Sequence, residues 1–137
     1  MGKAVGIDFG TKRIGFAISD STEMIATPLA TIKTHTVNEF ISQLVSKEEV
    51  SCFIVGFPIN LNTHYTDSTS HVIGFIKRLK NQYPMIPVFE IDERFTSKIA
   101  KNAIANSVLK KKDRRNKELI DKISATIILQ DYLDKKV

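Results

Sequence analysis

Residues 3–9 form a short apolar run that breaks at Gly10-Thr11-Lys12-Arg13, and residues 14–19 resume it. Two apolar runs around a tight polar break predict a β-hairpin. Residues 25–32 read as a third strand, at or near a sheet edge because Pro28 lacks the N–H that a central ladder needs. The period then changes. Val37, Phe40, Ile41, Leu44 and Val45 repeat at helical spacing, and Thr36 with Glu39 has the spacing of a capping box. Residues 51–57 are almost continuously apolar and stop at Pro58, the pattern of a strand covered on both faces. A polar stretch at 60–70 precedes a second helical stripe of Val72, Phe75, Ile76, Leu79 and Tyr83. A strand over 88–91, a helix over about 97–107 and a long helix over about 119–133 complete the pattern.

The predicted order is three strands, helix, strand, helix, strand, helix, helix. It describes one α/β domain over residues 1–137: a mixed five-stranded sheet, its first three strands antiparallel, covered by helices. Ligands of such sheets sit beyond the carboxyl ends of the strands. At 42% hydrophobic and 26% charged, the chain can bury a core, which excludes wholesale disorder. No apolar run reaches the roughly 18 residues of a membrane span. Asp8 interrupts what would be a signal peptide, and the myristoylation pattern fails at Gly6. A single cysteine, Cys52, forbids an internal disulfide and suggests a reducing, cytoplasmic home.

Charge changes the picture most through its distribution. The net +5 comes from 20 basic and 15 acidic residues, and residues 110–117 (KKKDRRNK) hold six of the bases against one acid. The remainder balances at 14 of each, so the whole excess lies in eight residues. Lys111, Arg114 and Arg115 are the central candidates for contacts to nucleic-acid phosphates. A solvated loop or a nuclear address would have the same composition.

Three carboxylates stand out against this background. Alternation puts Val5, Ile7 and Phe9 on one face of the first strand and Gly6, Asp8 and Gly10 on the other, so Asp8 stands between residues without bulk. A buried carboxylate needs a cation or donor, although a turn cap would also account for it. Asp92 and Glu93 end a later strand; being adjacent they point to opposite sides, and only one can readily face Asp8. Asp121 lines up with Ala125, Ile128 and Tyr132 on the last helix, near a start where the helix dipole alone favours an acid. Together, an oxygen-only cluster suits Mg²⁺ or Mn²⁺, and two such ions about 4 Å apart can activate water against a phosphodiester. His35, His64 and His71 lack metal-ligand spacing, Cys52 sits in an apolar strand, and no P-loop, nucleophile elbow or dinucleotide fingerprint occurs.

The segments GIDFGTKRIG (6–15), IVGFPIN (54–60), DERFTS (92–97) and Ile120-Asp121 leading into ATIIL (125–129) resemble the YqgF (RuvX) family, the bacterial pre-16S rRNA nucleases related to Holliday-junction resolvases. Four motifs in order span nearly the whole chain. The resemblance implies a ribonuclease-H-like fold and divalent-metal phosphodiester hydrolysis in maturing the 5′ end of ribosomal RNA. It implies Asp8, Glu93 and Asp121 as catalytic acids and metal ligands, Lys12 and Arg13 as phosphate contacts, and Arg94 on the substrate side as a support for Glu93. One departure is visible: where the family has an Asp-Gly turn after its Pro-x-Asn motif, this chain has Asn62-Thr63. The expected partners are precursor rRNA, with ribosomal particles or branched DNA as further substrates, for a monomer or weak homodimer.

Two other classes compete with the nuclease. A non-catalytic RNA-binding or assembly module on the same fold would use the basic segment equally well. GIDFGT (6–11) also resembles the first phosphate loop of actin-like phosphotransferases, but those enzymes close two lobes over ATP and 137 residues supply one.

Overall fold

The computed structural model describes residues 2–57, 67–92 and 117–136. A meander of β1 (Lys3–Asp8), β2 (Arg13–Ser19) and β3 (Ala26–Lys33) leads through a 3₁₀ turn into α1 (Val37–Lys47). Then follow β4 (Val50–Phe57), α2 (Asp67–Gln82), β5 (Val88–Asp92) and α3 (Lys117–Lys136). The five strands form one sheet in the order β3-β2-β1-β4-β5. The first three are antiparallel, and β4 and β5 add in parallel. This is the mixed sheet that the hydrophobic pattern predicts.

Pro28 does sit on an edge strand. It pairs with Ala17, beside a register shift between Phe16 and Ala17, where an irregular ladder tolerates a residue without an N–H. Two local expectations change. Thr36 makes no capping box: its Oγ1 donates to the Lys33 carbonyl at 2.7 Å, and the Val37 amide bonds the Thr34 carbonyl. The 3₁₀ turn therefore supplies the partners that a capping side chain would. The second stripe belongs to a helix starting at Asp67, because its first turn is polar and adds nothing to the apolar period. Residues 58–66 and the helix predicted over 97–107 lie outside the described residues, with most of the basic segment.

The sheet has two unlike faces. On one, Val5, Ile7, Ile14, Phe16, Phe53 and Val55 pack under α1 and α2 through Ile41, Leu44, Phe75, Ile76 and Leu79. Burying each such side chain contributes roughly 1.5–3 kcal/mol. On the other, Ala4, Ala17, Cys52 and Ile54 meet Ala125, Ile128, Leu129 and Leu133 of α3. Strand β4 is thus covered on both sides, as its unbroken apolar run requires.

Small residues on the second face let α3 approach closely. A Cβ on Gly6 would stand 2.7 Å from the Leu129 Cβ and 2.8 Å from the Ala125 carbonyl oxygen. A Cβ on Gly15 would overlap the carbonyl oxygen of Asp121. Gln130 ties the other stretch of α3 to the β3 entry, accepting from the Ala26 amide at 2.9 Å and donating to the Met24 carbonyl at 3.0 Å. The turn before β3 is closed by Asp20, whose pKa is held at about 2 by the Thr22 hydroxyl and then by the Met24 and Ile25 amides.

Alanine should therefore act with opposite sign at two glycines. Gly6→Ala must push α3 off the sheet and should cost about 1–3 kcal/mol. Gly74→Ala in α2, where a new Cβ meets nothing nearer than an Arg78 nitrogen at 3.8 Å, should stabilise by about 0.5–1 kcal/mol. Urea midpoints measure both, and a Gly6→Ala midpoint at or above wild type would show that α3 is not seated on this glycine.

Candidate active site

Asp8 is the last residue of β1 and is half-buried. Its ladder partners are Gly15 of β2 and Gly56 of β4, so neither neighbouring strand presents a side chain beside the carboxylate. Alternation from Gly6, which lies against α3, turns Asp8 to the α3 side as well.

Asp121 lies in the second turn of α3, on the row that continues through Ala125 to Leu129. Its backbone rests on Gly15, the residue directly opposite Asp8, and its Cβ is 3.1 Å from where a Gly15 Cβ would stand. Directly paired positions hold their Cβ atoms about 4.5–5.5 Å apart. The Cβ atoms of Asp8 and Asp121 are therefore within roughly 9 Å of each other, on one side of the sheet. Two acids that are 113 positions apart in the chain share one corner of the fold.

Arg13 opens β2 on this same face, two residues from Gly15. Its Nε–H donates to Asp121 Oδ2 at 2.9 Å, with the two side chains 33% and 20% exposed. The arginine predicted as a phosphate contact thus already holds one acid. Lys12, also predicted to touch phosphate, is exposed at the turn. That turn is pinned by Thr34, whose Oγ1 donates to the Gly10 carbonyl at 2.7 Å and whose amide donates to the Lys12 carbonyl at 3.0 Å.

Strand β5 ends level with this corner: Ile91 pairs with Gly56 and Asp92 with Phe57. Phe89 and Ile91 pack toward α3, Phe89 stacking on Tyr132 at 5.5 Å. Glu93 and Arg94 lie outside the described residues, as do Lys111, Arg114 and Arg115. Among the described residues, no three His, Cys, Asp or Glu side chains form a metal-holding group. His35 and His71 are exposed, and Cys52 is buried under α3. Hairpin register shows what the pattern alone missed: Lys33 pairs with Arg13 and Thr31 with Gly15. A count of turn residues from Ser19 to Ala26 could have suggested it, but the shift at Pro28 breaks that count.

Among the described residues, no helix is long and apolar enough to cross a membrane. The fold is similar to that of Thermus thermophilus RuvC in complex with Holliday junction substrate (TM-score 0.58, 12% identity, 93% of this chain and 92% of that one). It is equally similar to fowlpox virus resolvase with Holliday junction DNA (TM-score 0.57, 17% identity, 98% and 99%). Relatives named "Putative pre-16S rRNA nuclease" match over nearly full length. That of Bacteroides thetaiotaomicron is 45% identical over 136 residues, covering 99% of both chains. That of Phocaeicola vulgatus is 45% identical over 136 residues, covering 99% of this chain and 98% of its own. The model of the family described as "RuvX: Holliday junction resolvase" matches residues 2–135, and with Asp8 and Asp121 brought to one corner of the sheet the chain belongs to the RuvX family.

Proposed function

We propose that this protein is a divalent-metal-dependent nuclease of the cytoplasm that hydrolyses phosphodiesters of structured RNA, in maturing the 5′ end of pre-16S rRNA. Asp8, Glu93 and Asp121 are its catalytic acids. The observation that carries this reading is the seating of Asp121 on Gly15, beside Asp8, where the carboxyl ends of β1, β4 and β5 come level. Full-length relatives named for precursor rRNA supply the substrate class. The DERFTS motif (92–97) that carries the family resemblance favours Glu93 over Asp92 as the second acid.

The donors suit a hard cation. Asp8 and Asp121 offer only oxygen, and no side chain from Gly15 or Gly56 stands between them, so with Glu93 they would hold Mg²⁺ or Mn²⁺. Such an ion, when bound, supplies a polarised water and charge stabilisation at the leaving oxygen. Arg13 orients Asp121 through one N–H, and its guanidinium carries four more donors in a fork that matches phosphate. Lys12 and the basic segment with Lys111, Arg114 and Arg115 neutralise the backbone on either side, and Arg94 supports Glu93. Branched DNA is a second reading, favoured by the family model's description.

Cleavage of a defined 5′-extended 16S precursor, beside a four-way DNA junction, tests the reading. Mg²⁺ or Mn²⁺ should give a discrete cut in the RNA that EDTA abolishes. Asp8→Asn should lower the rate about 10³-fold, since the metal contributes several kcal/mol and each 1.36 kcal/mol is tenfold. Preferential junction cleavage would favour the second reading, and RNA binding with no cleavage under any metal would make the protein a binding module.

Metal affinity should be linked to stability and to Arg13. Mn²⁺ at a hundred times its Kd should stabilise the wild type by about 2.7 kcal/mol, and Asp8→Asn or Asp121→Asn should respond less. Arg13→Ala releases Asp121 from its ion pair, so its melting shift should begin at lower Mn²⁺ while its RNA affinity falls. Thermal melts across a Mn²⁺ series report the first effect and filter binding in EDTA the second; an unchanged Mn²⁺ response in Asp121→Asn would place the ion elsewhere.

Substitution of Lys111, Arg114 and Arg115 together by Ala should weaken RNA binding for all sequences alike. It should flatten the slope of log K against log salt by roughly two to three units if all three touch phosphate. An unchanged slope would make the segment a solvated loop.

A further inference from the structure

Beyond the two acids, the α3 face of the sheet continues toward its β3 edge with a different chemistry. Directly paired antiparallel residues point to the same side, so Lys33 stands beside Arg13 and Thr31 beside Gly15, on the face that carries Asp8. A groove of about 730 Å³ runs there, lined by Thr11, Lys12, Arg13, Thr31, Lys33 and His35 among others, with no acidic side chain on its described wall. Lys12 and Lys33 are exposed, β3 is an edge strand, and Arg13 on the same wall is the residue paired with Asp121. The bonds from Thr34 to Gly10 and Lys12 hold its two walls together.

We infer that this groove is a binding site for the phosphodiester backbone of the RNA strand being cut, with Lys33 as a phosphate contact displaced from the reacting phosphate. The inference rests on the nuclease reading for the identity of the strand. Lys12 and Lys33, two exposed cations on a wall with no carboxylate among its described residues, have an anion as their natural ligand, and the hydroxyl of Thr11 can donate to a phosphate oxygen. From β1 to β3 is two strand spacings, roughly 10 Å. At that distance Lys33 meets a different phosphate of the strand from the one at Asp8. The competing explanation is that Lys33 only guards the β3 edge against pairing with another chain, which requires solvation and no ligand.

The test uses the full chain and a precursor rRNA fragment, with affinity measured in EDTA at four salt concentrations. Lys33→Ala should weaken binding and flatten the salt slope by about 0.7–0.9, the loss of one phosphate contact. Lys12→Ala with Lys33→Ala should flatten it by about twice that. Lys33→Arg should restore the slope, and Lys80→Ala, on α2 across the sheet, should leave it at the wild-type value. Both alanine variants alter exposed side chains, so an unchanged melting temperature will show that they fold. A wild-type slope in Lys33→Ala, or an equal loss in Lys80→Ala, overturns the groove. If the wild type binds RNA with a Lys33-dependent slope but no metal supports cleavage, the groove stands and the nuclease reading falls. If the wild type binds no RNA, both fall.

Discussion

The close seating of α3 on the glycine side of β1 and β2 is the contact on which the rest of this structure depends. Gly6 admits the backbone at Ala125 and the Cβ of Leu129, and Gly15 admits the backbone of Asp121. Packing at this distance leaves no room for a methyl group, so the helix has one height and one register on the sheet. Bulk is concentrated on the opposite face, where Phe16, Phe53 and Phe75 fill the space under α1 and α2. On the second face the sheet presents mostly small residues to α3, Ala4, Gly6, Gly15, Ala17 and Cys52, and what it gives up in buried area it returns in the precision with which Asp121 is placed.

Electrostatics finishes what packing begins. Asp121 leans on the guanidinium of Arg13, from the first residue of β2, so the carboxylate near Asp8 is compensated without a bound cation. Both side chains keep contact with water, and an ion pair of that kind is worth about 1 kcal/mol or less. It can therefore orient the acid while yielding to a stronger competitor. A divalent cation at the acids and a phosphate at the arginine are the two competitors that the proposed reaction would bring.

Positive charge is organised on two scales. The formal excess of the chain lies in residues 110–117, whose last member, Lys117, opens α3 one turn ahead of Asp121. Lys12, Arg13 and Lys33 form a second group that adds nothing to the excess, since acids elsewhere balance it, yet it lines a groove with no carboxylate among its described wall residues. Local arrangement, rather than net charge, gives such a surface its preference for a polyanion.

Over the described residues, the hydrophobic pattern alone determined the strand and helix order, the edge position of β3 through Pro28, the double burial of β4 and the side of β1 that carries Asp8. These follow from periods of two and 3.6, which every residue reports about its own neighbourhood. The same pattern put Asp121 in a row with Ala125, and the family motifs named it as an acid, but neither says what the row rests on. Only the folded chain decided that. Glycine at 15 faces Asp121, Arg13 reaches across 108 positions to bond it, and Lys33 joins Arg13 through a register that shifts at Pro28. Contacts between residues so distant in the chain are set by how two faces of unequal bulk fit together, and no single stretch of sequence carries the shape of its partner.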